Sequence, residues 1–345
     1  MSEDRSEPAR ISRAYLRFAE VEARGRSPLY DTLARGVAAD PEIIAFLAAL
    51  PKEKRQPNLL LATVRHCCGT PGSWDEFRRA VINNVDAVRE VMLARSTQTN
   101  EPARCATLLP VLARLPQPLA LIEVGASAGL CLLPDFYGYD YGGQLLYPHG
   151  AAGQHPVFPC AVDAKTPIPA AIPQIVWRAG LDLNPLDISD PEQAAWLRTL
   201  VWPEQADRLA RLCAAMQIAA TNKPRLVTGD LRHDLVTLAA EAPKAATLVI
   251  FHSAVLAYVA AAGERIEFAR SVRPRCHFWL ANEAPHVFPE ITARLGETRL
   301  PGRFLVSVNG SPVAWADPHG ASVAWIADPP ATRWAPSNFT NSDYA

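Results

Sequence analysis

The sequence predicts an α/β protein: a doubly wound, mostly parallel sheet with a terminal antiparallel hairpin, preceded by an all-α N-terminal domain. Three observations predict it. Up to Leu115 the chain carries helix signals and no convincing period-2 strand. From Leu119 onward, short apolar runs alternate with helical stretches. Near the C-terminus, strand-like segments are joined by turn residues.

The helical part opens with two proline starts. Ser27-Pro28 and Asp40-Pro41 each place a capping side chain before a proline at the first helical position. Pro51 stops the second of these helices. Ser73 and Glu76 have capping-box spacing, so each side chain is expected to satisfy the other's amide. The helix behind them carries the stripe Phe77, Val81, Val85, Val88 and Met92 at a 3.6-residue period. A last helix is expected from near Asn100 to before Pro116, bent at Pro110. Pro116-Gln117-Pro118 reads as a domain boundary. The expected domains are a helical cap over 1–115 and an α/β domain over 118–330, with an insert at about 134–174 and a tail at 331–345.

Leu119 to Val124 is an apolar run ending in a Gly-rich turn, the mark of a buried parallel strand entering a helix. Similar runs follow at 175–177, 225–227, 247–251 and 276–280, with helical stretches at 191–200 and 203–219 between them. The chain then reads as a β-meander: 304–308, Asn309-Gly310, 313–316, Asp317 to Gly320, and 322–326. Five parallel strands and a terminal antiparallel hairpin are the pattern of S-adenosylmethionine-dependent methyltransferases, which have a Rossmann-type core.

Composition narrows the function. Lys plus Arg is 34 and Asp plus Glu is 35, so the net charge is −1. A sequence-independent nucleic-acid binder needs a basic surplus, so no nucleic-acid partner is expected. The 31 prolines fit many short elements. Seven cysteines form no CxxC pair, which fits reduced thiols better than a disulfide framework or a zinc site. The first ten residues are charged and lack an apolar signal core, and the apolar run 245–262 falls short of a membrane span. A cytoplasmic protein with no membrane partner is expected. No oligomeric state follows from the sequence.

The turn Glu123-Val-Gly125-Ala-Ser127-Ala-Gly129-Leu130 carries the chemistry. Small residues between a strand and a helix would leave amides open to a ligand at the helix N-terminus. As a methyltransferase first motif, Glu123 suits the cofactor's ammonium, and Gly125 and Gly129 match; Ser127 replaces the usual middle glycine. As Gly125-x-Ser127-x-Gly129, the same residues form a nucleophile elbow with Ser127 attacking an acyl carbon and His319 as a downstream partner. A dinucleotide fingerprint fails, because Ser127 and Leu130 stand where glycines belong. The plainest alternative is a Gly-rich turn with no ligand.

Order along the chain favours the methyltransferase motif. The turn follows the first strand, whereas a hydrolase elbow lies in mid-sheet. Asp182 stands where the second strand ends, suited to ribose hydroxyls, with Leu183 beside it. Asp230 follows the third strand, suited to adenine, with Leu231 beside it. The cofactor set expected is therefore Glu123, Gly125, Ser127, Gly129, Asp182, Leu183, Asp230 and Leu231, joined by Gln98 and Asn100 from the polar stretch 97–101.

The catalytic candidates are His252, Glu283 and Glu101. His252 follows the fourth apolar run, and a histidine there could take a proton as a general base; the alternative is a core histidine with a backbone partner. Glu283 follows the fifth and would orient a substrate amine; the alternative is a helix cap. Glu101, with Gln98 and Asn100, is expected to reach over the site; capping by Thr99 or Asn100 explains part of this stretch. Arg178 reads as an ion-pair partner rather than a substrate anchor. His66-Cys67-Cys68 lacks the spacing of a zinc site. The insert, with Tyr137, Tyr139, Asp140, Tyr141, Tyr147, His149 and His155, reads either as a lid or as a surface excursion.

Several segments together carry a resemblance. Arg95 to Pro102, Glu123 to Leu130, Arg178 to Asp187, Val201 to Gln205 and Phe251 to Tyr258 resemble the bacterial family designated domain of unknown function 2332. The resemblance covers about residues 12–330. It implies a Rossmann-type, methyltransferase-like core and no particular substrate. The expected function is an S-adenosylmethionine-dependent methyltransferase acting on a small molecule. The alternatives are a serine hydrolase using Ser127 and a non-catalytic nucleotide-binding Rossmann-like protein.

Overall fold

Helices begin where capping side chains precede prolines, as local hydrogen bonding demands. In this computed structural model, which describes residues 6–98, 100–148, 155–259, 261–296 and 300–326, Ser27 Oγ accepts the Tyr30 amide and Asp40 Oδ1 accepts those of Glu42 and Ile43. The helices Pro28–Ala39 and Pro41–Ala48 follow. The expected tail 331–345, His149 and Thr99 lie outside the described residues.

The chain divides into two compact units. One is Met1–Thr99 with Asp190–Ala210; the other is Asn100–Ser189 with Arg211–Ala345. The division expected near Pro116 therefore falls elsewhere, and two tryptophans supply the reason. Trp196 is fully buried in the helical unit's core and donates to the Ser96 carbonyl at 3.0 Å. Trp202 packs on Phe18 and Tyr30 and donates to Asn58 Oδ1. Between them, Arg65 binds the Thr199 and Val201 carbonyls, and Glu204 accepts from Ser27 Oγ and the Leu29 amide. These long-range contacts bring 190–210 into the helical unit.

The stripe Phe77 to Met92 is split between two helices, Trp74–Asn83 and Val85–Ala94, that meet at Asn84. Phe77, Val81, Val88 and Met92 still share one core, as the periodicity requires. The Ser73 box closes on one side only. Ser73 Oγ accepts the Glu76 amide, while Glu76 Oε2 takes the amide of Gly72 instead of Ser73. Among the described residues, no helix is long and apolar enough to cross a membrane.

Among its described residues, the second unit holds twelve strands: β1 (Leu119–Val124), β2 (Gly138–Tyr141), β3 (Gln144–Leu146), β4 (Val157–Pro159), β5 (Ala161–Val162), β6 (Ile175–Asp182), β7 (Arg225–Thr228), β8 (Thr247–Ser253), β9 (Phe278–Glu283), β10 (Phe304–Val308), β11 (Ser311–Ala316) and β12 (Ser322–Trp325). Nine of them form one sheet in the order β5-β12-β11-β10-β9-β8-β1-β6-β7. The block β7-β6-β1-β8-β9 is parallel, while β10, β11 and β12 run antiparallel as a meander. From β1 the chain moves outward through β6 and β7, then returns to β8 on the other side. The switch point thus lies between β1 and β8, where open α/β sheets bind ligands beyond their carboxyl ends. β1 is buried at every position, as a central parallel strand should be.

The insert builds the sheet β3-β2-β4, and β5 pairs with β12 at the edge of the main sheet. Three of its tyrosines are tied into the fold. Tyr137, Tyr139 and Tyr141 are buried, and their hydroxyls donate to the carbonyls of Leu130, Pro134 and Ala106. Arg178 on β6 forms a bidentate pair with Asp135, as its ion-pair reading predicts.

Candidate functional site

The Gly-rich turn leaves β1 through Gly125 (φ +72°), Ser127 (φ +50°) and Gly129 (φ +72°). No α-helix follows it. A single 3-10 turn, Leu130–Leu132, gives way to Pro134–Phe136. The expectation of open amides at a helix N-terminus is therefore corrected. Gly129 enters Leu130 in the left-handed conformation, and Pro134 lacks the amide needed to extend a helix. The turn's amides also have partners within the chain. Gly125 N–H donates to Leu181 O at 2.7 Å, and Ser127 N–H to Asp182 Oδ2 at 2.8 Å.

Asn100 brackets this turn. Its Oδ1 accepts the Leu130 amide at 2.9 Å, and its Nδ2 donates to Ala126 O at 3.1 Å. The side chain expected to touch cofactor or substrate thus has both ends of its amide on the turn. Gln98 belongs to the helical unit and is half-buried there. Glu101 is buried; Oε1 accepts the Ala103 amide, and Oε2 lies 3.9 Å from His319 Nδ1. The glycines fit their neighbours closely. A methyl group on Gly125 would lie 2.3 Å from Val255 Cγ2, and one on Gly129 would lie 2.8 Å from Pro224 Cγ.

Glu123 is the anomaly of the site. It is 3% exposed, and its Oε2 has no hydrogen-bond partner. Burial holds its carboxyl well above the usual range, reinforced by nearby Cys131 and opposed by the Arg104 guanidinium. Ser127 Oγ is likewise buried without a partner. Such atoms are rare enough in folded proteins to require an explanation.

The neighbouring strand ends differ. Asp182 Oδ1 accepts the Asn184 amide while Oδ2 holds Ser127, so Asp182 ties the β6 end to the turn. Leu183 beside it is 73% exposed. Asp230 is committed elsewhere: Arg232 binds both of its carboxylate oxygens, at 2.9 and 2.5 Å, and holds its pKa down to about 2. This corrects the expectation that Asp230 presents its carboxylate to a ligand. Leu231 is half-buried and packs against the core.

Register separates the catalytic candidates. Glu123 pairs with Phe251, and Ser253 with Asn282, so these four side chains share one face of the sheet. Val124 pairs with His252, and His252 with Ala281, on the opposite face. His252 has no exposed surface. It shares a hydrogen bond with Glu283 Oε1 at 2.7 Å through Nδ1 and accepts from Trp279 Nε1 at 3.0 Å through Nε2. Glu283 Oε1 also takes the amides of Val255 and Leu256. In the pair expected to supply a base and to orient a substrate amine, both nitrogens of His252 are in use within the chain, while Glu283 Oε2 is buried without a partner.

The family model described as "Uncharacterized protein conserved in bacteria (DUF2332)" matches residues 12–325. The chain belongs to the DUF2332 family. Neither the curated proteins nor the solved structures yielded a match.

Three groups of this DUF2332 chain escaped sequence reasoning. On the Glu123 face, Asn282 Nδ2 donates to Ser253 Oγ at 3.0 Å, and Asn282 Oδ1 is buried without a partner. Arg104 is buried, donating from Nη1 to Ser253 O and from Nε to Pro318 O. Asn282 and Ser253 could have been found by counting alternate residues back along each strand from its polar end. Arg104 starts a helix in an apolar segment, and only the tertiary fold brings it to Glu123.

Proposed function

We propose that this DUF2332 protein binds S-adenosylmethionine over the Gly-rich turn and methylates a small-molecule acceptor, on a methyltransferase-like Rossmann core. One observation carries the reading: Glu123, at the carboxyl end of the central strand beside the switch point, is buried with one carboxylate oxygen unpartnered. An isolated buried carboxylate is costly unless a partner arrives. An ammonium group is such a partner, so the residues present fit this cofactor. Glu123 would hold the ammonium and Asp182 the ribose hydroxyls, with Leu183 beside the adenosine. When bound, S-adenosylmethionine supplies an electrophilic methyl group. The chain's own part is positioning, which accounts for much of the acceleration in group transfer. Asn100 and Asp182 set the shape of the turn. Ser253 and Asn282, on the face of Glu123, replace His252 and Glu283 as the groups facing the acceptor.

Calorimetric titration with S-adenosylmethionine and S-adenosylhomocysteine tests the cofactor. Binding is expected, and Asp182→Ala weakens it at least about tenfold, or 1.4 kcal/mol. Wild-type protein that gives no binding heat at millimolar ligand overturns the reading.

A second reading has its own support: Ser127 combines a positive φ with an unpartnered hydroxyl, as a nucleophile elbow would. No histidine bonds that hydroxyl. The methyltransferase reading expects no adduct at Ser127 after treatment with a fluorophosphonate. A covalent adduct located there by mass spectrometry would decide for the hydrolase.

A further inference from the structure

We propose that Val255 gates the Gly-rich turn, standing over Gly125 until an incoming ligand displaces it; this rests on reading the turn as a ligand site. After Ser253 the chain turns at Ala254, whose φ of +58° is unfavourable for an alanine. The following segment, 254–259, is a strap that holds the 3-10 turn Leu256–Tyr258, with Val255 and Val259 packed against the core. The Ala254 amide donates to Asn282 O at 3.1 Å. The Val255 and Leu256 amides converge on Glu283 Oε1 at 3.0 and 3.2 Å, and the Leu256 side chain is fully buried. Arg265 Nη1 holds the Val259 carbonyl at 2.6 Å. Between these anchors, Val255 is half-buried and Tyr258 is 71% exposed.

Val255 lies so close that a methyl group on Gly125 would meet Cγ2 at 2.3 Å and Cγ1 at 2.7 Å. The space above Gly125 that a small residue would leave open is therefore filled by this isopropyl group. A ligand group reaching Gly125 and the isopropyl group cannot share it. Valine is stiff about χ1, so clearing the space requires the strap backbone to move rather than a simple side-chain rotation. Glu283 then has a second consequence: by fixing the Val255 and Leu256 amides, it holds the gate shut in the absence of ligand.

The experiment compares wild type, Val255→Ala and Val255→Thr, the last keeping the side chain's shape. In ligand-free protein, amide hydrogen exchange across 125–130 is expected to quicken about tenfold in Val255→Ala and stay unchanged in Val255→Thr. Equal thermal midpoints for the three proteins show that the change is local. With S-adenosylhomocysteine as probe, Val255→Ala is expected to bind about tenfold more tightly, because a site open in about a tenth of molecules loses that factor in apparent affinity. Faster exchange together with tighter binding supports the gate. Equal affinity in wild type and Val255→Ala overturns the gate and leaves the function reading standing. If no variant binds the probe, the function reading fails, and unchanged exchange then overturns the shielding as well.

Discussion

Replacing His252 with leucine is expected to cost about 3 kcal/mol of stability, the scale for breaking a buried charged network. The ring has no exposed surface and packs edge-on or tilted among Phe268, Trp279 and Phe288. The Trp279 indole can only donate, so His252 Nε2 must accept, and Nδ1 carries the proton given to Glu283. Leucine fills the space but leaves the indole N–H without a partner and the Glu283 carboxylate with only the two strap amides. For a unit of this size the thermal midpoint should fall by roughly 6–12 °C. His252→Gln, which keeps a polar end, should fall less. Circular dichroism melts of the three proteins check this. A leucine variant that melts within about 2 °C of wild type would return His252 to the candidates for a catalytic base.

The same network shows what the sequence could and could not reveal. The ends of the parallel strands were legible, because each apolar run stops at a polar residue: Glu123, Asp182, His252 and Glu283 lie at or near the carboxyl ends of β1, β6, β8 and β9. Which side of the sheet each residue faces was not legible. Strands buried on both faces lack the alternation that marks an inner and an outer side. Register supplied that information, and put Ser253 and Asn282, rather than His252 and Glu283, on the face of Glu123. The turn's glycines were legible as glycines, but their nearest neighbours, Val255 and Pro224, come from distant parts of the chain. Asp230 failed for a local reason: Arg232, two residues on, satisfies its carboxylate. The unit boundary shifted because Trp196 and Trp202 bond residues a hundred or more positions earlier in the chain.

Glu123→Gln is expected to make the protein more stable and less able to bind. In the unfolded chain this carboxyl titrates near the ordinary value of about 4.3. In the folded protein, burial holds it well above that range. Between the two values the folded state binds more protons than the unfolded state, so wild-type stability falls as pH rises. Below the ordinary value both states are protonated and the penalty vanishes. Above the folded value it is complete. Glutamine has nearly the same shape and no charge to bury. The variant should therefore match wild type near pH 4 and exceed it by about 1 kcal/mol at pH 8, the usual gain when a group kept for function is relieved. Urea unfolding at several pH values measures the difference. In wild type, an ammonium arriving beside Glu123 would expel the proton, so the heat of binding S-adenosylhomocysteine should vary with the ionisation enthalpy of the buffer. In Glu123→Gln both that variation and most of the affinity should be absent. A carboxyl that only supports the fold would behave in the opposite way, losing stability on replacement and leaving binding unchanged. The joint sign of the two changes therefore separates a residue kept for a ligand from one kept for the fold.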